Sequence, residues 1–125
     1  MDDKWIVDAM NVIGSRPDRW WIDPDEAMRA FAQAVDAHAA ARGKDITVVF
    51  DKDPSRLPKT PHIQIVIAAR RGHNAADYEI ERLVKTAEDP ASVRVVTSDR
   101  RLIEKVTSFG SKVVWSGRFR AELDR

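Results

Sequence analysis

The sequence predicts an α/β fold in which a mainly parallel sheet is covered by helices on both faces. Short apolar runs, typical of buried strands, alternate along the chain with segments whose apolar residues recur at helical spacing. Such alternation is typical of strand–helix–strand units with right-handed crossovers, which place parallel strands side by side. The length of 125 residues, with 43% hydrophobic and 33% charged residues, predicts one globular domain over residues 1–125.

The predicted order of elements is β-α-β-loop-β-α-β-α-β. Strands are predicted at "WIVD" (5–8), "DITVVFD" (45–51), "IQIVIAA" (63–69), "SVRVVTSD" (92–99) and "SKVVW" (111–115). The segment "MNVIG" (10–14) is expected to form a loop or a single turn. The segment "KDPSRLPKTPH" (52–62) contains three prolines, so it is expected to be an exposed loop.

Three helices are predicted between these strands. The clearest begins at Pro24, with Asp23 as N-cap and Glu26 completing a capping box, and it ends at Gly43. The others are "NAADYEIERLVKTAED" (74–89) and "RRLIEKVTSFG" (100–110). The apolar positions expected to face the sheet are Met28, Phe31, Ala32, Val35 and Ala39 in the first helix and Ile80, Leu83, Val84 and Ala87 in the second.

Composition excludes several classes of function. The absence of cysteine excludes thiolate zinc sites and a catalytic thiol, and it is compatible with the cytoplasmic location that we expect. No apolar run approaches the ~20 residues of a membrane span, so no membrane partner is expected. Residues 1–51 carry six Lys/Arg and ten Asp/Glu, whereas residues 52–125 carry fifteen and ten. This asymmetry hints at a phosphate-bearing partner, although a solvated surface is the simpler interpretation.

Acidic residues follow three of the predicted strands. Asp8, Asp51 and Asp99 each follow an apolar strand run, "WIV", "TVVF" and "RVVTS" respectively. Because parallel strands end at one edge of the sheet, where ligands bind in such folds, these carboxylates are expected at the same edge. Asp77 joins them from the first turn of the next helix, and Glu81, four residues on, shares its helical face.

Each acid also has a purely structural interpretation. Asp77 would complement the helix dipole, Asp99 would cap the following helix, and Asp51 would be an ordinary turn residue. Asp8 fits such a role least, because no helix is predicted directly after it. Asn11 would either form a local turn or orient Asp8 or a ligand.

Crowded carboxylates require a cation or raised pKa values. Two carboxylates ~4 Å apart repel by roughly 4 kcal/mol at an effective dielectric constant of about 20. Oxygen-only ligands select hard ions, so an incomplete shell that admits water and phosphate oxygens predicts Mg²⁺ or Mn²⁺ rather than Zn²⁺. Sites of this type activate water in phosphodiester hydrolysis.

Four segments together resemble a known family. "VDAMNVIG", "VVFD", "NAADYEIERLV" and "VVTSDRRLIEKVTSFGSKVV" occur in the order and spacing of the NYN domain, closest to its YacP-like branch within the PIN-like ribonucleases. The resemblance implies a three-layer α/β/α fold with a PIN-like, Rossmannoid sheet. It also implies a divalent-metal-dependent endoribonuclease that cuts single-stranded or structured RNA.

The resemblance also implies roles for individual residues. Asp8, Asn11, Asp77 and Asp99 match the catalytic positions. Asp8, Asp77 and Asp99 would hold the metal, with Asp51 as a further ligand. Ser98 would help to orient Asp99. Glu81 would be an acid next to the metal ligands that does not bind the metal itself. As a working hypothesis, the metal activates a water that attacks phosphorus in line. The residues predicted to position the RNA backbone are Arg70, Arg71, Arg100 and Lys52.

Two residues depart from the family pattern. Ala9 stands where glycine is usual and would be strained if φ is positive there. Lys52 stands where a small residue is usual, so it would either contact phosphate or fill the metal pocket. These departures keep a second hypothesis open, a catalytically silent RNA-binding or protein-interaction module. A homodimer through a flank of the sheet is also left open.

Two tryptophans, three histidines and one other fold class also have competing interpretations. Trp20 and Trp21 either stack on unpaired bases or, as we favour, pack over a helix end. The histidines, His38, His62 and His73, show no metal-ligand spacing and are expected to face solvent. A receiver-like signalling domain is disfavoured, because Lys105 falls inside a predicted helix and Met10 breaks the expected acidic pair.

Overall fold

In the part of the chain that the structure describes, a five-stranded sheet with all neighbouring strands parallel forms the centre of the fold. The structure, a computed structural model, describes residues 3–15, 18–69, 72 and 74–125. The strands are β1 (Lys4–Asp8), β2 (Asp45–Phe50), β3 (Ile63–Ile67), β4 (Val93–Val96) and β5 (Lys112–Val114), in the spatial order β3-β2-β1-β4-β5. The predicted parallel α/β architecture is therefore confirmed.

Among the described residues, five helices cover the two faces of the sheet. They are α1 (Ala9–Gly14), α2 (Pro24–Arg42), α3 (Ala75–Lys85), α4 (Arg100–Ser108) and α5 (Ser116–Leu123), with short 3-10 turns at Trp20–Ile22 and Pro90–Ser92. One apolar cluster joins α1, α2 and α5 to the sheet, and a second cluster joins α3 and α4 to it. The result is three layers. No described helix combines the length and apolar character that a membrane crossing requires.

The termini of α2 follow the chemistry predicted for them. The Asp23 carboxylate accepts a hydrogen bond from the backbone N–H of Glu26 at 3.1 Å, and Pro24 begins the helix. The Glu26 carboxylate pairs with Arg29. Gly43 ends the helix at φ 63°, a left-handed conformation that glycine adopts without strain. All five apolar residues predicted for the inner face of α2 are buried.

Two helices correct the prediction. The segment expected to be a loop or single turn is α1, which begins directly after Asp8 and buries Ala9, Val12 and Ile13. The second, α5, follows β5 and buries Phe119 fully. Both are shorter than nine residues and lack a capping signal, so tertiary packing rather than local propensity stabilises them. The last strand also ends one residue early, which leaves Trp115 outside it.

The histidine expectation is wrong for His38. Its side chain is buried on α2, with its ring 5.7 Å from that of Phe119 and its Nε2 atom 3.1 Å from the Nζ atom of Lys44. Burial lowers the pKa of His38, and the positive charge of Lys44 lowers it further. His62 is exposed as expected, and His73 lies outside the described residues.

Candidate active site

Asp8 ends the central strand at the carboxyl edge of the sheet. It pairs in register with Val49 of β2, and the preceding Val7 pairs with Val96 of β4, so both neighbouring strands flank it. Its side chain is only 5% exposed. The first turn of α1 follows directly, and Asp8 holds its N-cap position without a side-chain cap hydrogen bond. The carboxyl group is therefore held inside the fold rather than used as an ordinary cap.

A short hydrogen-bond chain connects Asp8 to the end of β4. The Thr97 hydroxyl donates to Oδ2 of Asp8 at 2.9 Å, and it accepts from the backbone N–H of Asp99 at 3.1 Å. Thr97 is fully buried. Thr97 thus fixes one oxygen of Asp8 and connects it by hydrogen bonds to the backbone of Asp99.

Burial and neighbouring acids raise the pKa of Asp8 to about 7. Loss of solvent is the main cause, and the negative charges of Asp77 and Asp99 add to it. Hydrogen bonds from Thr97 and from the backbone of Asn11 act in the opposite direction. The structure therefore brings Asp8, Asp77 and Asp99 close enough for their charges to interact.

Asp99 and Asp77 each combine a structural position with membership of this cluster. One Asp99 oxygen caps α4 by accepting from the backbone N–H of Leu102 at 2.9 Å. Asp77 is half-buried in the first turn of α3, as predicted. The structural interpretation and the acidic-site interpretation of these two residues are compatible.

Asn11 is held by two residues from distant parts of the chain. Its Oδ1 atom accepts from the backbone N–H of Ser98 at 2.9 Å and from the hydroxyl of Ser116 at 2.5 Å. The Ser98 hydroxyl in turn accepts from the backbone N–H of Ser116 at 3.0 Å. Ser98 was predicted to orient Asp99, but these hydrogen bonds connect it to α1 and α5 instead.

Asp51 lies at the same edge of the sheet and borders a cleft. It follows β2 and lines a cleft of about 710 Å³ together with Lys52, Asp53 and residues 67–69. The two carboxylates that raise the pKa of Asp8 are Asp77 and Asp99, and Asp51 is not one of them. The Oδ1 atom of Asp51 is buried and has no hydrogen-bond partner among the described residues.

The two departures from the family pattern have simple structural outcomes. Ala9 is the first residue of α1, is fully buried and does not adopt a positive φ, so its methyl group causes no backbone strain there. The Nζ atom of Lys52 lies 3.5 Å from Oδ1 of Asp25 in the first turn of α2. Its side chain is 57% exposed, which places its charge at the rim of the cleft.

Of the basic residues predicted to contact the RNA backbone, only some lie in the described part of the chain. Arg100 is exposed at the first residue of α4, whereas Arg70 and Arg71 lie outside the described residues. Arg101 lies over the ring of Tyr78, with its Cζ atom 5.9 Å from the ring centroid. A hydrogen bond with Tyr78 raises the pKa of Arg101, and the charges of Tyr78, Glu81 and Asp77 contribute to the increase. Glu81 thus lies near the acidic cluster on the α3 side, close to Arg101.

The donors at this edge fit a hard divalent cation chemically. They are carboxylate oxygens, and the buried Asp51 oxygen and the raised pKa of Asp8 show acids held where a positive charge would be favourable. Within residues 3–15, 18–69, 72 and 74–125, no group of three or more acidic or histidine side chains is placed so that it could hold a metal ion. Mg²⁺ keeps several water ligands and needs only one or two carboxylates, which is consistent with this arrangement.

Thr97 and Ser116 belong to the site although the sequence did not indicate them. Thr97 is a polar residue at the end of the apolar run "VRVV", and its 0% exposure together with the hydrogen bond to Asp8 reveals its role. The position of Thr97 at the end of an apolar strand was the one feature of the sequence that could have indicated its role. Ser116 lies in "WSGRF", where no pattern indicated a helix, so its contact with Asn11 across 105 positions was not predictable.

Comparison with known proteins gives one family match and related structures. The model of the YacP-like NYN domain matches residues 5–125. The crystal structure of Rae1 (YacP) from Bacillus subtilis is 20% identical, with a TM-score of 0.75, and the match covers 98% of this chain and 74% of that chain. A single-substitution variant of that protein is 22% identical, with a TM-score of 0.80 and coverage of 99% and 76%. No curated protein matches the chain. At these identities the structural likeness shows a shared fold.

Proposed function

Because the chain belongs to the YacP-like NYN domain family, we propose that it is a divalent-metal-dependent endoribonuclease that hydrolyses phosphodiester bonds in RNA. The family resemblance expected from the sequence is confirmed, and the family has a PIN-like nuclease fold. The observation that carries the proposal is the buried carboxyl of Asp8, whose pKa is raised toward 7 beside Asp77 and Asp99. Acids crowded in this way are characteristic of functional sites.

In the proposed mechanism, Asp8, Asp77 and Asp99 would hold Mg²⁺ or Mn²⁺, directly or through water. The cation would stabilise negative charge on the phosphate and favour deprotonation of the attacking water. Thr97 fixes one oxygen of Asp8, so the carboxylate would face the cation in a set orientation. No side-chain nucleophile is required.

Asn11 would contact the substrate through its amide nitrogen. Two donors, from Ser98 and Ser116, already occupy its Oδ1 atom. The amide orientation follows from this network, because Oδ1 must be the acceptor. The Nδ2 atom is then the group that donates to a phosphate oxygen. Arg100 and Lys52 would attract the RNA backbone from the rim, and both side chains are exposed.

Cleavage of a labelled single-stranded RNA tests the proposal. Wild-type protein is expected to cut with Mn²⁺ or Mg²⁺ and not with EDTA, and Asp8→Asn is expected to lose cutting because it removes the charge that holds the cation. Asp45→Asn is the matched control, since Asp45 is exposed at the opposite end of β2. It is expected to cut like the wild type.

The alternative of a silent module is the other outcome of this experiment. RNA binding in EDTA without cutting under any metal condition would contradict the nuclease proposal and support that module. Ala9 and Lys52, the two departures from the family pattern, do not favour the silent module. Ala9 is unstrained, and Lys52 pairs with Asp25. Sedimentation of the same samples would test the homodimer, and cytoplasmic location stays part of the proposal.

Ser116 is expected to act as a positioning residue through Asn11. Ser116→Ala removes a hydrogen bond to Oδ1 of Asn11, so we expect about a tenfold fall in kcat, equivalent to roughly 1.4 kcal/mol. Steady-state kinetics of Ser116→Ala, Asn11→Ala and the double variant measure the effect. The double variant should be no slower than Asn11→Ala. Additive losses would mean that Ser116 acts independently of Asn11.

A further inference from the structure

Trp115 presents an exposed indole ring at the carboxyl edge of the sheet. It lies between the end of β5 and the start of α5, and 60% of the residue is exposed. Its neighbours Val114 and Ser116 are buried, Ser116 completely. Tryptophan is a large side chain that is highly buried on average. A ring this exposed, on a backbone whose two neighbours are buried, is suited to meet a ligand.

The backbone around Trp115 is connected on both sides to the candidate active site. The carbonyl of Val114 accepts from the backbone N–H of Thr97 at 3.1 Å, and Thr97 donates to Asp8. On the other side, Ser116 hydrogen-bonds to Ser98 and to Asn11. The indole is therefore carried by a segment whose position is coupled to the acids and to Asn11.

The strand order places the backbone that carries this ring near the strand that ends at Asp8. In the order β3-β2-β1-β4-β5, β5 is two positions from β1, which ends at Asp8. Adjacent strands lie about 4.8 Å apart, so the two strands are separated by about 10 Å. A second aromatic ring, Tyr78, lies in the other helical layer with Arg101 over it and is 42% exposed.

We propose that the Trp115 indole is a stacking platform for an unpaired base of single-stranded RNA that flanks the phosphate held at Asp8. This inference rests on the proposed nuclease function and specifies its substrate. Bases in a duplex are paired and stacked on one another, whereas unpaired bases stack on aromatic side chains. The platform therefore favours substrates that are single-stranded at the cut.

Binding of fluorescently labelled RNA in EDTA tests this subsite without cleavage. The probe is a short oligouridine, and fluorescence anisotropy gives its dissociation constant. Trp115→Leu keeps an apolar side chain but removes the aromatic face, so we expect affinity to fall about five- to a hundredfold. Trp115→Phe is expected to retain most of the affinity. Ile22→Ala, at another exposed hydrophobic residue, is expected to change nothing.

Two further probes identify stacking as the cause. An RNA in which one nucleotide lacks its base should bind wild type and Trp115→Leu equally when the missing base is the stacked one. A fully paired duplex should show no difference between these proteins. Thermal melting of each variant checks folding, which we expect to be unchanged because the ring is exposed.

Each other result overturns a defined part of the inference. If wild type binds RNA and Trp115→Leu binds it equally well, the stacking platform is contradicted while the nuclease proposal stands. If Trp115→Leu instead lowers the sedimenting mass at unchanged RNA affinity, the ring packs against a second copy. If wild type binds no RNA and cuts none, both the subsite and the proposed function are contradicted.

Discussion

Without divalent cations, the contribution of Asp8 to folding stability is expected to fall as the pH rises from about 4 to about 7. Asp8 has a folded-state pKa of about 7, above the ordinary value of 3.8, so the folded chain binds this proton more tightly than the unfolded chain. Its contribution is therefore fully present below pH 4, is lost as the pH rises to about 7 and is constant above that. The shift corresponds to at most about 4 kcal/mol of unfolding free energy.

Asp8→Asn isolates this effect. The amide has nearly the same shape, can still accept from Thr97 and carries no charge, so metal-free Asp8→Asn should exceed wild type in stability above pH 7. Urea denaturation in EDTA between pH 4.5 and 8 measures the difference, with Asp45→Asn as control. Other shifted groups, such as His38 and Glu122, cancel on subtraction. A difference that does not vary with pH would contradict the raised pKa.

Phe119→Ala is expected to cost about 3–5 kcal/mol of unfolding free energy, as truncations of fully buried phenylalanines do. Phe119 is 0% exposed, and its ring lies 6.1 Å from that of Trp5 and 5.7 Å from that of His38. It anchors α5 to the sheet. Urea denaturation at pH 7 measures the loss.

Two controls define what this loss means. Phe119→Leu should recover part of the stability, because it fills more of the cavity. Arg118→Ala, at the exposed neighbour on the same helix, should stay within about 0.5 kcal/mol of wild type. If Phe119→Ala costs less than about 1 kcal/mol, α5 is not held to the sheet by this ring.

The elements with strong local patterns were predictable from the sequence. The five strands and the helix from Pro24 carry apolar runs or stripes and, for that helix, clear end signals at Asp23 and Gly43. The short helices α1 and α5 carry neither. Their stability comes from contacts with residues far away in the chain, as for Phe119 with Trp5, which local reasoning does not reveal.

In the candidate site, too, some residues could be predicted from the sequence and others could not. The rule that parallel strands end at one edge was enough to expect Asp8 and Asp99 together, and a helix-start position was enough to add Asp77. Which other residues orient them depends on hydrogen bonds across the fold. The contacts from Thr97 to Asp8 and from Ser116 to Asn11 span 89 and 105 positions.

The central position of β1 has a consequence for the newly made chain. Its two neighbours are β2, which is synthesised soon afterwards, and β4, whose first residue is Val93. Until β4 emerges, β1 has one free edge of unpaired backbone groups, the kind of edge that invites association with other chains. Asp8 then lacks Thr97, and Asn11 lacks Ser116 until α5 is made. The acidic centre is thus assembled late in synthesis, so an incomplete nascent chain does not yet carry it in finished form.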